Sequence, residues 1–157
     1  MKKKQIKVDI HCSYCHRNDM VLDWAKGKHS TAHANFGAEI HTSPELYNQD
    51  MVLTTPKEGC KKFSGKSYTG KIALVSRGSC RFDLKTYWAQ MAGAKAIVIY
   101  NNGGSWNSNT IMGGNAKVNG VYLKIPSLFV GTNEGKKIVA EVNKAKSKSI
   151  KGSIHCN

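Results

Sequence analysis

Cys12-Ser13-Tyr14-Cys15-His16 is the densest set of metal-capable side chains in the sequence. Its spacing matches C-x-x-C-H, the attachment pattern of c-type haem. With His29 and His33 it also makes C-x2-C-x13-H-x3-H, a spacing that thiolate and imidazole ligands of zinc can adopt. A zinc finger needs its two histidines on one helix. Gly27 between Lys26 and Lys28 makes a poor helix, and the apolar positions of a finger are not met. Such short motifs recur by chance, and haem also needs an apolar pocket of its own size, so the expectation is no cofactor and no metal site. Cys156 offers a plainer use of these thiols: if the chain ends lie close together, it can pair with Cys12 or with Cys15. Five cysteines is an odd number, so at least one is outside any internal disulfide.

Arg77-Gly78-Ser79-Cys80 is the second constellation. It falls between an apolar run and a helical pattern, where free N–H groups at a helix start favour anions. Arg77 adds a planar, permanently charged donor suited to carboxylate. The sequence holds three arginines, Arg17, Arg77 and Arg81, and two of them flank this turn. A purely structural role competes: Arg77 tying down the turn, Gly78 supplying positive φ. Catalysis finds little support. His29-Ser30-Thr31-Ala32-His33 lacks the glutamate of H-E-x-x-H, no G-x-S-x-G is present, and no acid/base pair of carboxylates is evident.

The net charge of +14 predicts attraction to polyanions. The lysines gather toward both ends: Lys2, Lys3, Lys4 and Lys7 at the start, and Lys136, Lys137, Lys144, Lys146, Lys148 and Lys151 at the close. Adjacent ends would merge them into one face for acidic polysaccharide or an acidic matrix protein, or into a merely solvated surface. Lysine far outnumbers arginine and no aromatics interleave, which argues against nucleic acid. Trp106, in an Asn/Gly-rich stretch, is a further candidate contact residue.

These groups need a scaffold, and the pattern supplies one. Lys71 to Ser76 and Ala96 to Tyr100 read as buried strands. Between them, Asp83 is a suitable N-cap, Leu84, Trp88, Met91 and Ala92 fall on one helical face, and Gly93 is a suitable stop. The tight order strand, helix, strand argues for a parallel unit. Asn101 to Lys124 reads as a long loop. Ile125 to Val130 reads as a strand entered through Pro126. Thr132 is a candidate cap for a second helix with Ile138, Val139 and Val142 as its stripe, and Ile150 to His155 closes the chain as a strand.

Several linked motifs then resemble one family. They are Gly70 to Phe82, containing Arg77-Gly78-Ser79-Cys80-Arg81-Phe82; Lys85; Ala89 to Asn102, containing Ala92-Gly93-Ala94 and Tyr100-Asn101-Asn102; and Ile125-Pro126-Ser127. Asn35-Phe36-Gly37 and Gly59-Cys60 stand where the family has them. Together they resemble the protease-associated (PA) domain, including those of vacuolar sorting receptors and membrane RING ubiquitin ligases. The resemblance implies an α/β fold, a β/β/α layered sandwich with two main helices and no haem-sized pocket. It implies a Cys60–Cys80 disulfide, the alternative being two free thiols in a reducing compartment. It implies a non-catalytic domain binding protein or peptide through Arg77, Gly78 and Ser79, with Trp106 added from the loop.

The length of 157 residues fits one PA domain, 35–157, preceded by a Cys/His-rich extension, 1–34, packed on it. No apolar run is long enough to cross a bilayer. No apolar h-region follows Met1-Lys2-Lys3-Lys4, so the expectation is a mature secreted or lumenal chain with its signal removed, an intracellular protein being the alternative. No N-x-[ST] sequon adds support for the secretory route.

Overall fold

The computed structural model describes residues 20–25, 27–30, 32–37, 45–103 and 112–156. Its centre is a set of parallel strands, β4 (Leu46–Leu53), β5 (Ile72–Ser76), β6 (Ala96–Tyr100) and β9 (Ser127–Val130). Antiparallel strands extend the sheet on both sides. β10 (Ile150–Cys156), β1 (Met20–Trp24) and β2 (Gly27–Ser30) continue beyond β4, and β3 (Ala32–His33) lies beyond β9. The order is therefore β2-β1-β10-β4-β5-β6-β9-β3. Two helices, α1 (Phe82–Met91) and α2 (Thr132–Lys144), complete a mixed α/β fold.

Every residue of β5 and β6 is buried, and alternation divides them between two cores. Ile72, Leu74, Ala96, Val98 and Tyr100 join Ile138 and Val142 of α2 on one face. Ala73, Val75, Ile97 and Ile99 join Ala89 of α1, Phe36 and Phe129 on the other. A strand buried on both faces loses the polar alternation of a surface strand, so these segments read as continuous apolar runs.

α1 departs from the sequence reading in two ways. Its N-cap is Arg81, which makes no side-chain cap bond, and Asp83 lies inside the first turn. Its buried residues are Asp83, Lys85, Thr86 and Ala89, whereas Met91 is exposed. Trp88 and Ala92 of the expected face pack partly buried against the core, with Phe82, whereas Asp83, Lys85 and Thr86 are buried by polar partners described below. Gly93 ends the helix as expected, with φ of +88°. In α2, Gly131 is the N-cap, and the Thr132 hydroxyl instead accepts from Asn101 Nδ2 at 2.9 Å.

The stretch from Asn101 to Lys124 contains a hairpin, β7 (Lys117–Val118) with β8 (Val121–Tyr122), turned by Asn119 and Gly120 at positive φ. The strands β1 to β3, which precede residue 35, belong to the main sheet. Among the described residues, no helix is long and apolar enough to cross a membrane.

Candidate functional site

Parallel strands deliver their carboxyl ends to one rim of the sheet, and β5 and β6 end there side by side. Arg77, just past β5, donates its backbone N–H to Tyr100 O at 2.9 Å, and Asn101, just past β6, donates to Val130 O at 3.0 Å. The chain after β5 must then reverse into α1 within a few residues. Gly78 does so at φ +123°, and Ser79, a non-glycine residue, at φ +69°. A left-handed serine costs about 1–3 kcal/mol, so surrounding contacts must hold it.

Three contacts do. The Ser79 hydroxyl donates to Glu58 Oε1 at 2.6 Å. Cys80 is disulfide-bonded to Cys60, with a Cα–Cα distance of 5.9 Å. Lys85, fully buried, sends its ammonium to three carbonyls: Glu58 at 2.6 Å, Gly78 at 2.6 Å and Ser76 at 3.0 Å. An ammonium has three N–H donors, so these acceptors use all of them. Burial pushes the Lys85 amine down to about 8, against an opposing pull from Glu58. It is thus still protonated at neutral pH.

The opposite wall comes from the loop before the hairpin. Gly114 donates its backbone N–H to Asn35 Oδ1 at 3.0 Å, and Asn115 donates to Asp83 Oδ2 at 2.8 Å. Asp83 is buried and receives both Arg81 Nε, at 3.1 Å, and Arg81 Nη2, at 2.9 Å. Burial alone would raise the Asp83 carboxyl. The Arg81 hydrogen bonds, the Asn115 N–H, the Arg81 charge and the Leu84 N–H outweigh it and hold the group below its ordinary range.

Between the walls is a cleft of about 460 Å³, lined by Arg77, Gly78, Cys80, Arg81, Phe82, Gly113 and Gly114. Arg77 is half-buried, and its Nη1 donates to Asn101 Oδ1 at 3.2 Å, which fixes the plane of the guanidinium. The Arg77 guanidinium, one aromatic edge and the open backbone at Gly113 suit a short extended ligand with an anionic group.

Of the residues singled out in the sequence, Arg77 and Gly78 line this cleft. Ser79 stands on the same turn, with its hydroxyl engaged by Glu58. The Cys60–Cys80 disulfide is present. Cys156 is also disulfide-bonded. Trp106, Cys12 and Cys15 lie outside the described residues. Sequence reasoning missed Glu58, Arg81, Phe82, Asp83 and the Gly113-Gly114 wall as parts of one site. It quoted Lys85 within a motif but gave it no task. A lysine three residues after Phe82 and four before Ala89, on one helical face, was the available signal.

The PA domain family profile matches residues 46–138. The chain is 31% identical over 105 residues to the minor extracellular protease Vpr of Bacillus subtilis, covering 66% of this chain and 12% of that protein. It is 42% identical over 82 residues to vacuolar-sorting receptor 1 of Pisum sativum, covering 47% of this chain and 12% of that protein. The chain therefore spans a small part of the length of these relatives. Its fold is similar to that of an aminopeptidase from Aneurinibacillus sp. strain AM-1, with a TM-score of 0.64 and 21% identity, over 90% of this chain and 31% of that one.

Proposed function

Because the chain belongs to the PA domain family, we propose that it is a non-catalytic domain that binds protein or peptide in the cleft beside Arg77. The observation that carries this reading is the built turn: an arginine oriented by Asn101, on a backbone fixed by a disulfide, a buried ammonium and the Ser79–Glu58 bond. Preorganisation of this kind reduces the ordering cost of binding. The cleft's own groups bind and orient; its nearby carboxylate, Asp83, is engaged by Arg81 and Asn115 and is poorly placed to move protons. A relative named as a sorting receptor supports recognition of a protein partner, and a relative named as extracellular supports a secreted or lumenal location. A disulfide beside the cleft supports the same kind of compartment. We read Arg77, Gly78 and Ser79 as the recognition turn, with Trp106 as a further contact.

A polysaccharide reading through the terminal lysines has less support. Lys144 pairs with Glu141 at 3.4 Å, Lys151 pairs with Asp50 at 2.9 Å, and Lys148 donates to the Asn143 carbonyl at 2.6 Å. These three are engaged within the fold.

The test is a titration of the full chain with short extended peptides bearing an acidic residue, beside amidated and neutral counterparts. Arg77→Ala is expected to weaken the acidic series at least tenfold, about 1.4 kcal/mol, and the neutral series much less. Equal affinity for the acidic series in both proteins would remove Arg77 from the site.

A further inference from the structure

The Cys60–Cys80 disulfide lies between a buried ammonium and a helix start whose field Asp83, in the first turn, partly offsets. Lys85 Nζ lies 3.9 Å from Cys60 Sγ. Cys80 stands immediately before Arg81, the N-cap of the ten-residue helix α1, where the helix end is electropositive. Cys80 also lines the cleft with Arg77 and Arg81, and Cys60 does not. The carbonyls of Glu58 and Gly78 face Cys60 Sγ at 3.6 and 3.7 Å and would oppose negative charge on it. Both also accept from Lys85 at 2.6 Å, which offsets their field.

A thiolate beside an ammonium or at a helix N-terminus has a lowered pKa. A disulfide whose reduced form is stabilised is a better oxidant and opens more readily. We propose that Cys60–Cys80 is a thiol–disulfide exchange site, open to a thiol reductant through the Arg77 cleft. The attacking thiolate enters the cleft and bonds to Cys80 Sγ. The bond between Cys80 and Cys60 breaks, and Cys60 leaves with the electron pair as a thiolate beside Lys85. A second thiolate, the reductant's own where it carries two, attacks the reductant sulfur now bonded to Cys80. Cys80 then leaves as a thiolate at the start of α1. Two electrons pass to the chain, whose disulfide becomes two thiols, and the reductant ends as a disulfide. The exchange stands independently of whether the cleft binds peptide.

The experiment uses the full chain at neutral pH with its free thiol alkylated beforehand. It is equilibrated with a glutathione buffer, mostly reduced, of a poise that leaves an ordinary structural disulfide closed. Thiols are then trapped with a second alkylating reagent and mapped by mass spectrometry. Expected is trapping of at least half of Cys60 and Cys80. Early samples are expected to carry glutathione on Cys80 and the trapping reagent on Cys60. Persistence of the closed disulfide in that buffer, or glutathione found on Cys60 in place of Cys80, would overturn the proposal. Lys85→Met is expected to require about tenfold more reducing buffer for half-opening. If that variant does not fold, the two readings on the unsubstituted chain decide the matter.

Discussion

Asp83 joins α1 to the loop that walls the cleft, since one carboxylate receives both Arg81 and the Asn115 N–H. Its place at the helix start was legible in the sequence, though as the N-cap and not, as found, within the first turn, where an acidic residue complements the helix end. Its task was not, because the partner N–H comes from a loop 32 residues away. The Asp83 carboxyl is held below its ordinary value, so its contribution to stability is present above about 3.9, the unfolded value. That contribution is lost as pH falls through the lower folded value. Asp83→Asn is expected to cost about 1–3 kcal/mol at pH 6 by urea unfolding, through weakened hydrogen bonds to a buried acceptor. The difference between the two proteins should shrink below pH 4 as Asp83 protonates in both states of the parent chain. A difference that is constant from pH 6 to pH 2 would show that the charge plays no part.

At the scale of elements, α2 depends on how closely it approaches β6. Gly135 lies in its first turns, and a Cβ there would stand 2.6 Å from Tyr100 Cβ. In an exposed helix interior, glycine to alanine gains about 1 kcal/mol. Here the neighbouring atom is attached directly to a buried strand backbone and cannot swing away. Gly135→Ala is therefore expected to destabilise by about 1–3 kcal/mol in thermal unfolding, reversing the ordinary sign. A raised melting temperature would refute this packing. The elements that the sequence revealed best were those with one clear periodicity. β6 falls at Ala96–Tyr100 as read, and Ile138 and Val142 face the core from α2. α1 was misread on its inward face because Lys85 and Thr86 are buried by carbonyl and hydroxyl partners that no hydrophobic period announces. The β7–β8 hairpin escaped because its strands are two residues long. β1 lies in the segment read as a packed extension and was not read as a strand, because its partner, β10, is at the other end of the chain.

For the molecule as a whole, that joining of early and late segments is where pH should act on the alkaline side. β1 pairs with β10, and β10 with β4, so the first and last described strands close the sheet together. His155 of β10 sits at this junction. Its Nε2 bonds Asp23 of β1, its Nδ1 lies 2.9 Å from the Cys156 carbonyl, and Tyr47 of β4 stacks on its ring. Glu45 accepts from the Cys156 N–H at 2.9 Å. Burial alone would lower the imidazole pKa. The Asp23 hydrogen bond, the Cys156 carbonyl and the charges of Asp23 and Glu45 outweigh burial and raise it. A raised folded value means that the imidazolium's contribution is fully present below about 6.5, the unfolded value. It is lost as pH rises through the folded value. Asp23 Oδ1 is buried without a hydrogen bond among the described residues, so the His155 bond to Oδ2 is a side-chain partner its carboxylate has there. The full chain, with its disulfides intact, should thus lose stability as pH rises from about 6.5 through the raised folded value. His155→Gln should be less stable than the parent at pH 6, and its stability should vary less over the same interval. Urea midpoints of both proteins across that range separate this from the general fall in positive charge as the six histidines lose protons, which acts on both nearly alike. Parallel profiles for the two proteins would remove His155 as the titrating group at the junction.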